Sequence, residues 1–343
     1  MNDPAPGIDV AGVTGWFEAN VPGVKPPLQF ELIAGGRSNL TFAVGDSAGP
    51  RRWALRRPPL HGVLGSAHDV GREHRVVSAL HPTAVPVPPV VGLCDGDDVT
   101  GAPFFVMEFV DGIVLRDDEL ERGGFAGDVR RGASYAMVET LAELHAVKPA
   151  DVGLGELGRQ EGYIARQLKR WKGQVDQAKT RELPALDKAH ARLSERIPEQ
   201  GPATIVHGDY RLDNMILSPE GDVRAVLDWE LCTLGDPLAD VGLLVVYWNR
   251  PVGVAPGRYE GFPSADELTA RYGEVSGRDL SELDFYVAFG YWKLGAILEG
   301  VYARYVSGAY GDSPSDVDDM PKGVDQLAEA SLERLDQLAG RAS

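Results

Sequence analysis

The stretch "IVHGDYRLDNMIL", Ile205 to Leu217, sets His207, Asp209, Asp213 and Asn214 between two short β-type apolar runs. A plain turn needs only Gly, Pro and Ser, so this density of carboxylate points to chemistry. Asp209 and Asn214 lie five apart, and Asp228 ends the next hairpin-like segment, "NMILSPEGDVRAVLD". These three groups can surround one reacting hydroxyl and one or two hard cations, because Mg²⁺ takes oxygen ligands from carboxylate and amide and leaves positions for phosphate. The spacing suits phosphoryl transfer. A metal-dependent hydrolase built on His207, Asp209 and Asp228 is the competing chemistry, although it leaves the first third of the chain without a purpose.

The elements that must position these groups change character near Gly112. Before it, short β-rich runs alternate with turns: "LQFELIAGG", "NLTFAV", "RRWALRRPP", "PPVVGL" and "FFVMEFV". One helix interrupts them in "SAHDVGREHRVVSAL", with Val70, His74, Val77 and Leu80 near helical spacing and His81-Pro82 as the stop. After Gly112 the periods are helical: Met137, Leu141 and Leu144 share one face, and so do Ile164, Leu168, Trp171 and Val175. The exceptions are the strands "ATIV", "NMILS" and "VRAVLDW", the last two joined by the turn "PEGD". Helical patterns resume at "PLADVGLLVVYW", "SADELTARYGEV", "LSELDFYVAFGYWKLGAILEGVYARYV" and "VDQLAEASLERLDQLA". The expected fold is α+β. An N-terminal lobe, residues 1–111, holds an antiparallel sheet with one helix, and a larger, mainly helical lobe spans 112–343, with "VMEFVDG" joining the two across a cleft.

In that arrangement His207 to Asn214 follows a strand end, where irregular backbone aims polar groups outward. In the sheet half, "AGGRSNL" puts Gly35 and Gly36 at a turn between strands. Their missing Cβ atoms admit phosphate to the backbone, with Ser38 and Asn39 as donors. Gly-Gly equally suits an ordinary hairpin turn.

The balance of 34 Lys+Arg against 51 Asp+Glu gives a net charge of −17, which repels nucleic acid and anionic membrane and favours small-molecule partners. Cys94 and Cys232 are far apart and lack metal-type spacing, so they read as reduced thiols. The start "MNDPAPGIDV" has neither a basic region nor an apolar stretch, and the longest apolar run, "VGLLVVYW", is short of the ~20 residues that span a bilayer. A soluble, cytoplasmic protein is expected.

"HGDYRLDN" followed by "VLDWE" resembles the catalytic and metal loops of the aminoglycoside phosphotransferase and choline kinase-type branch of the protein-kinase-like fold. Roughly residues 30–338 follow that branch's order of elements. The resemblance implies a two-lobe fold that uses ATP and Mg²⁺. Asp209 would accept or orient the acceptor hydroxyl, Arg211 would lie on the γ-phosphate, and Asn214 and Asp228 would hold Mg²⁺. The backbone of Glu108 and Val110 would bind the adenine edge. His207 and Asp213 are read as loop scaffolding. Arg56 stands where such folds place a lysine on the α/β-phosphates, paired with Glu73, and its planar fork can still bridge phosphate to carboxylate. "LRRPP" and "DWELCTLGDPLADVG" are similar to the branch fused to, or accompanying, acyl-CoA dehydrogenases. Asp236 and Asp240 in "GDPLAD" suit helix capping and loop fixing.

From Val241 to Tyr310 aromatic and aliphatic residues mix with Arg250, Lys293 and Arg304, while acids such as Glu299 are scattered. Tyr247, Trp248, Tyr291 and Trp292 read as core or pocket wall. An apolar wall with a few cations suits an acyl chain and an anionic carrier group better than a polyamine, and together with the resemblance to the acyl-CoA dehydrogenase-associated branch it implies a hydroxyacyl-CoA or similar lipid-like acceptor. The expected activity is ATP-dependent phosphorylation of a small-molecule hydroxyl, with a functional association with acyl-CoA metabolism. An aminoglycoside-type kinase and a catalytically silent nucleotide-binding protein are the alternatives.

Overall fold

The computed structural model describes residues 5–34, 39–60, 69–178, 180–308 and 317–341; Gly35, Gly36 and Ser38 of the expected phosphate turn lie outside them. The chain divides into two compact units, Met1–Gly112 with Arg224–Cys232, and Ile113–Val223 with Thr233–Ser343.

The alternating runs of the first unit form an antiparallel sheet. In chain order come α1 (Val10–Asn20), β1 (Gln29–Ala34), β2 (Leu40–Asp46), β3 (Gly49–Arg57), α2 (Val70–Leu80), β4 (Val90–Cys94) and β5 (Phe104–Glu108), and the five strands lie in the order β1-β2-β3-β5-β4. Side chains alternate across a strand, and the register decides which face each meets. Phe42, Leu55, Phe104 and Val106 pack with Val13 and Phe17 of α1. Ala54, Phe105 and Met107 face the other way, toward Val70 of α2. Arg56, opposite Thr41 on β2 and Phe105 on β5, has the parity of Ala54 and so shares the face that α2 covers.

Two features differ from the sequence expectation. The unit holds a second helix, α1, capped by Asp9, whose carboxylate accepts the N–H groups of Ala11 and Gly12. Gly12 and Gly15 lower its intrinsic propensity, and burial of Val13 and Phe17 compensates. On α2 the buried positions are Val70, Glu73, Val76, Val77 and Leu80, whereas His74 is half-buried. The inner face thus carries Glu73, the expected partner of Arg56, where the helical period alone had put His74.

The second unit contains α3 (Asp117–Glu121), α4 (Gly127–Ala146), α5 (Tyr163–Ala178), α6 (Pro184–Glu195), β6 (Thr204–Val206) and β7 (Met215–Leu217). After β8 (Val223–Val226) it continues with β9 (Thr233–Gly235), α7 (Leu238–Asn249), α8 (Ala265–Ser276), α9 (Leu283–Val306) and α10 (Met320–Arg341). α9 is apolar nearly all round, as a core helix must be: Phe285, Phe289 and Trp292 pack against α5, α6 and α10. Met137, Leu141 and Leu144 of α4 are buried together, as their spacing implies. β6 pairs antiparallel with β9, and that pair carries the loop described next. Among the described residues no helix is long and apolar enough to cross a membrane, and Cys94 and Cys232 are buried free thiols.

Candidate active site

The segment after β6 is held from beneath by one buried carboxylate. The N–H groups of His207 and Gly208 donate to the two oxygens of Asp240, at 2.7 and 2.8 Å. Asp240 lies in the first turn of α7, and His145 Nε2 sits 3.3 Å from its Oδ2. Burial pushes the Asp240 carboxyl up, but His145 and the donated N–H groups outweigh this and hold it below the ordinary carboxylate value. The ring of His145 is itself buried, which depresses its pKa, and its Nδ1 lies 2.7 Å from the Tyr272 hydroxyl. Asp240 is thus the loop-fixing group that its sequence context suggested, and Asp236 accepts from Leu238 N–H at the start of the same helix.

Gly208 has φ 86°, a conformation that a Cβ disfavours. Its carbonyl accepts from Lys293 Nζ at 2.8 Å. Lys293, on α9, is only 5% exposed, so it is no open cation of an acceptor pocket; it braces the loop from below. Burial lowers its pKa, partly countered by the charges of Asp209 and Asp240. His207 is fully buried and its Nδ1 accepts the N–H of Asp209 at 3.2 Å. The Tyr210 hydroxyl anchors the loop to Met137 O at 2.8 Å.

A 3₁₀ turn over Leu212–Asn214 then folds the chain back, which is why a spacing of five matters. Asn214 Nδ2 donates to the backbone carbonyl of Asp209 at 2.8 Å and to its Oδ2 at 3.1 Å. Arg211 Nε stands 3.5 Å from the same Oδ2, and Arg211 Nη2 pairs with Asp213 at 2.9 Å. The other oxygen, Oδ1, accepts from the Tyr247 hydroxyl at 2.6 Å. Asp209 and Asn214 are therefore brought together as their spacing implied, and Arg211, which the resemblance placed here, lies with them. The partnership with Tyr247 was not foreseen, and neither was the brace made by Lys293. Both come from helices whose aromatic and aliphatic pattern reads as core.

Beside this loop a small pocket, with room of about 30 Å³ and otherwise open to solvent, is lined by Leu115, Leu120, Leu244, Trp248 and Val254 with Arg211, Arg250 and Tyr247. The Tyr247 ring has the Arg211 guanidinium 5.1 Å and the Arg250 guanidinium 5.8 Å from its centroid. The two acids at the pocket, Asp117 and Asp213, each lie near an arginine, Arg250 at 3.4 Å and Arg211 at 2.9 Å. Tyr291 and Trp292 are buried in α9.

In the first unit a second charged cluster gathers around Arg56. Arg56 Nε binds Glu73 Oε2 at 2.7 Å, Nη1 reaches Thr41 Oγ1 at 3.3 Å, and Nη2 donates to Asp228 Oδ1. Asn39 Nδ2 adds a bond to Glu73 Oε2 at 3.3 Å. Burial disfavours charge on Arg56, but Glu73, Asp228 and Glu230 more than offset this, and the guanidinium stays ionised. Glu73 is pushed up, by burial first and by the charge of Asp228. Asp228 adopts φ 65°, ψ 59°, a left-handed conformation that a non-glycine residue holds at a cost and that clusters at functional sites. Glu108 donates its N–H to Pro89 O at 2.8 Å, so any nucleobase contact of Glu108 runs through its carbonyl.

Each unit offers a hard oxygen donor of the kind Mg²⁺ takes: the amide oxygen of Asn214, whose nitrogen is engaged by Asp209, and the carboxylate of Asp228. Among the described residues no three His, Cys, Asp or Glu side chains form a metal cage; an ion that completes its shell with phosphate and water needs none.

Residues 29–286 match the model of the phosphotransferase enzyme family. The chain is 36% identical over 292 residues to Acyl-CoA dehydrogenase family member 10 of Mus musculus, and 35% identical over 325 residues to Acyl-CoA dehydrogenase family member 11 of Gallus gallus. The matched regions cover 82% and 91% of this chain but only 27% and 41% of those relatives. A crystal structure of a candidate aminoglycoside phosphotransferase from Ralstonia eutropha JMP134 superposes with a TM-score of 0.82 at 33% identity, covering 96% of this chain and 98% of that one. The GDP complex of aminoglycoside 2'-phosphotransferase-IIIa gives 0.62 at 15% identity over 95% and 99% of the two chains. A choline/ethanolamine kinase family protein from Mesorhizobium loti gives 0.59 at 17% over 94% and 95%. These last two share the fold. With its antiparallel N-terminal sheet, its mainly helical remainder and its match over most of its length, the chain belongs to the phosphotransferase enzyme family and has the protein-kinase-like fold.

Proposed function

We propose that the chain is an ATP-dependent small-molecule kinase that transfers the γ-phosphate of Mg-ATP to a hydroxyl of a hydroxyacyl-CoA. The observation that carries the reading is the Asp209 carboxylate, fixed by a donor on each oxygen and mounted on a loop whose own backbone is pinned by Asp240 and Lys293. A group that takes or orients a hydroxyl proton needs that positional certainty. In the reaction the acceptor oxygen bonds to the γ-phosphorus while the bond from that phosphorus to the β,γ-bridging oxygen breaks. The hydroxyl proton passes to Asp209, and ADP leaves. Arg211 turns its guanidinium to the transferring oxygens. Asn214 and Asp228 are the ligands of Mg²⁺, which when bound neutralises charge across the phosphates. Arg56, oriented by Glu73, contacts the α/β-phosphates; Gly35, Gly36, Ser38 and Asn39 cradle phosphate, and the backbone of Glu108 and Val110 takes the adenine edge.

The acceptor assignment rests on the pocket. Its walls are apolar, and each of its two acids already lies near an arginine, so a polyamine would find no clustered free carboxylate, and burying ammonium groups without partners is costly. An acyl chain with an anionic carrier fits such walls, and the acyl-CoA dehydrogenase names of the curated relatives point the same way. The test supplies Mg-ATP with a 4-hydroxyacyl-CoA and, separately, with kanamycin, and compares kcat/KM for phosphorylated product. Transfer to kanamycin alone overturns the acceptor. No phosphorylated product from either, or from a panel of hydroxylated metabolites, overturns the kinase.

A further inference from the structure

We infer that the Tyr247 hydroxyl occupies the acceptor's seat on Asp209 and suppresses transfer of phosphate to water until an acceptor enters the pocket; the inference rests on the phosphotransferase reading above. A base that receives a proton from a hydroxyl must first accept a hydrogen bond from it, at roughly 2.6–3.2 Å. The Tyr247 hydroxyl makes such a bond, 2.6 Å from Asp209 Oδ1. The second oxygen already has Asn214 at 3.1 Å and Arg211 at 3.5 Å. The phenol therefore sits on the oxygen that a water molecule or a substrate hydroxyl has to reach.

Three further observations make Tyr247 a placeholder and not a reactant. Its pKa is raised well above the ordinary phenol value by burial and by the charge of Asp209, so it keeps its proton and continues to donate. Its ring is held beneath two guanidinium groups, those of Arg211 and Arg250. The same ring is a wall of the pocket that Leu115, Leu244, Trp248 and Val254 also line, so an acceptor larger than the small space there has to displace Tyr247 to enter. Where the phenol is absent, water takes the seat: its oxygen bonds to the γ-phosphorus, the bond to the bridging oxygen breaks, the water proton goes to Asp209, and ADP and inorganic phosphate leave.

Tyr247→Phe deletes only the hydroxyl and keeps the ring beside both arginines. ADP and inorganic phosphate are followed with Mg-ATP alone, and phosphorylated product is followed with the acceptor panel, for wild type, Tyr247→Phe and the double variant Tyr247→Phe/Asp209→Asn. The expected result is a rise of about tenfold or more in the ratio of hydrolysis to transfer for Tyr247→Phe, the effect of one charge-assisted hydrogen bond, with the rise abolished in the double variant. A purely structural role lowers both rates together and leaves the ratio unchanged, and that outcome overturns the inference while wild-type transfer stands. Absence of phosphorylated product from wild type together with absence of ADP from every variant overturns the phosphotransferase reading and the placeholder with it.

Discussion

Asp209 is held at its backbone N–H, its carbonyl and both carboxylate oxygens. Replacing it by asparagine keeps the shape and removes the proton acceptor. Asp209→Asn should lower turnover by ~10²–10⁴, the range for a positioned acid–base group, while nucleotide affinity measured by calorimetry stays close to wild type. Arg56 is a different kind of residue, since it joins two carboxylates, Glu73 and Asp228. Arg56→Ala strands both, and loss of one partner from a buried ionic cluster costs about 3–5 kcal/mol, readable in denaturant unfolding. Arg56→Lys keeps the charge but not the fork that reaches Glu73, Thr41 and Asp228 at once, so it should recover part of the stability and part of the nucleotide affinity. Equal stability of wild type and Arg56→Ala would remove Arg56 from this role.

The helices that brace the loop depend on their ends and on close approach. α8 begins with a capping box: Ser264 Oγ accepts from Glu267 N at 3.2 Å, and Glu267 Oε2 accepts from Ser264 N at 2.7 Å. The Ser264 N–H, with Arg131 next in importance, lowers the Glu267 pKa from 4.5 to about 2. A depressed carboxylate contributes stability above its unfolded value and loses it as pH falls through the folded one. The denaturation midpoint of Glu267→Gln should therefore lie below wild type at neutral pH, and the gap should close between about pH 4.5 and 2. α7 and α9 approach so closely at Gly242 that an added Cβ would lie 2.5 Å from the backbone carbonyl of Tyr286. Gly242→Ala should separate the helix carrying Tyr247 and Asp240 from the helix carrying Lys293, at about 1–3 kcal/mol of overpacking. An unchanged melting temperature would show that the contact is slack.

For the molecule as a whole, the sharpest expectation is metal dependence. Phosphate transfer should vanish in excess chelator and return with Mg²⁺, and Asp228→Ala should not be rescued by added metal, since the β/γ-phosphate charge is then left uncompensated; full activity in chelator would contradict the ligand assignment. Much of this protein was legible in the chain itself. Asp209 and Asn214 could be read as one loop because a short turn closes over a few residues, and the buried faces of α4 and α5 followed from their period, since both are set by near neighbours. Helix α1 escaped because its glycines hide a two-residue buried stripe, Val13 and Phe17. The groups that tune the loop were beyond any local pattern. Tyr247 meets Asp209 across 38 positions, Lys293 meets Gly208 across 85, and His145 meets Tyr272 across 127. Tyr247 and Lys293 each lie in a helix whose composition announces only a core. Which of its few polar atoms reaches the loop depends on how that helix packs and rotates, and tertiary contact alone decides that.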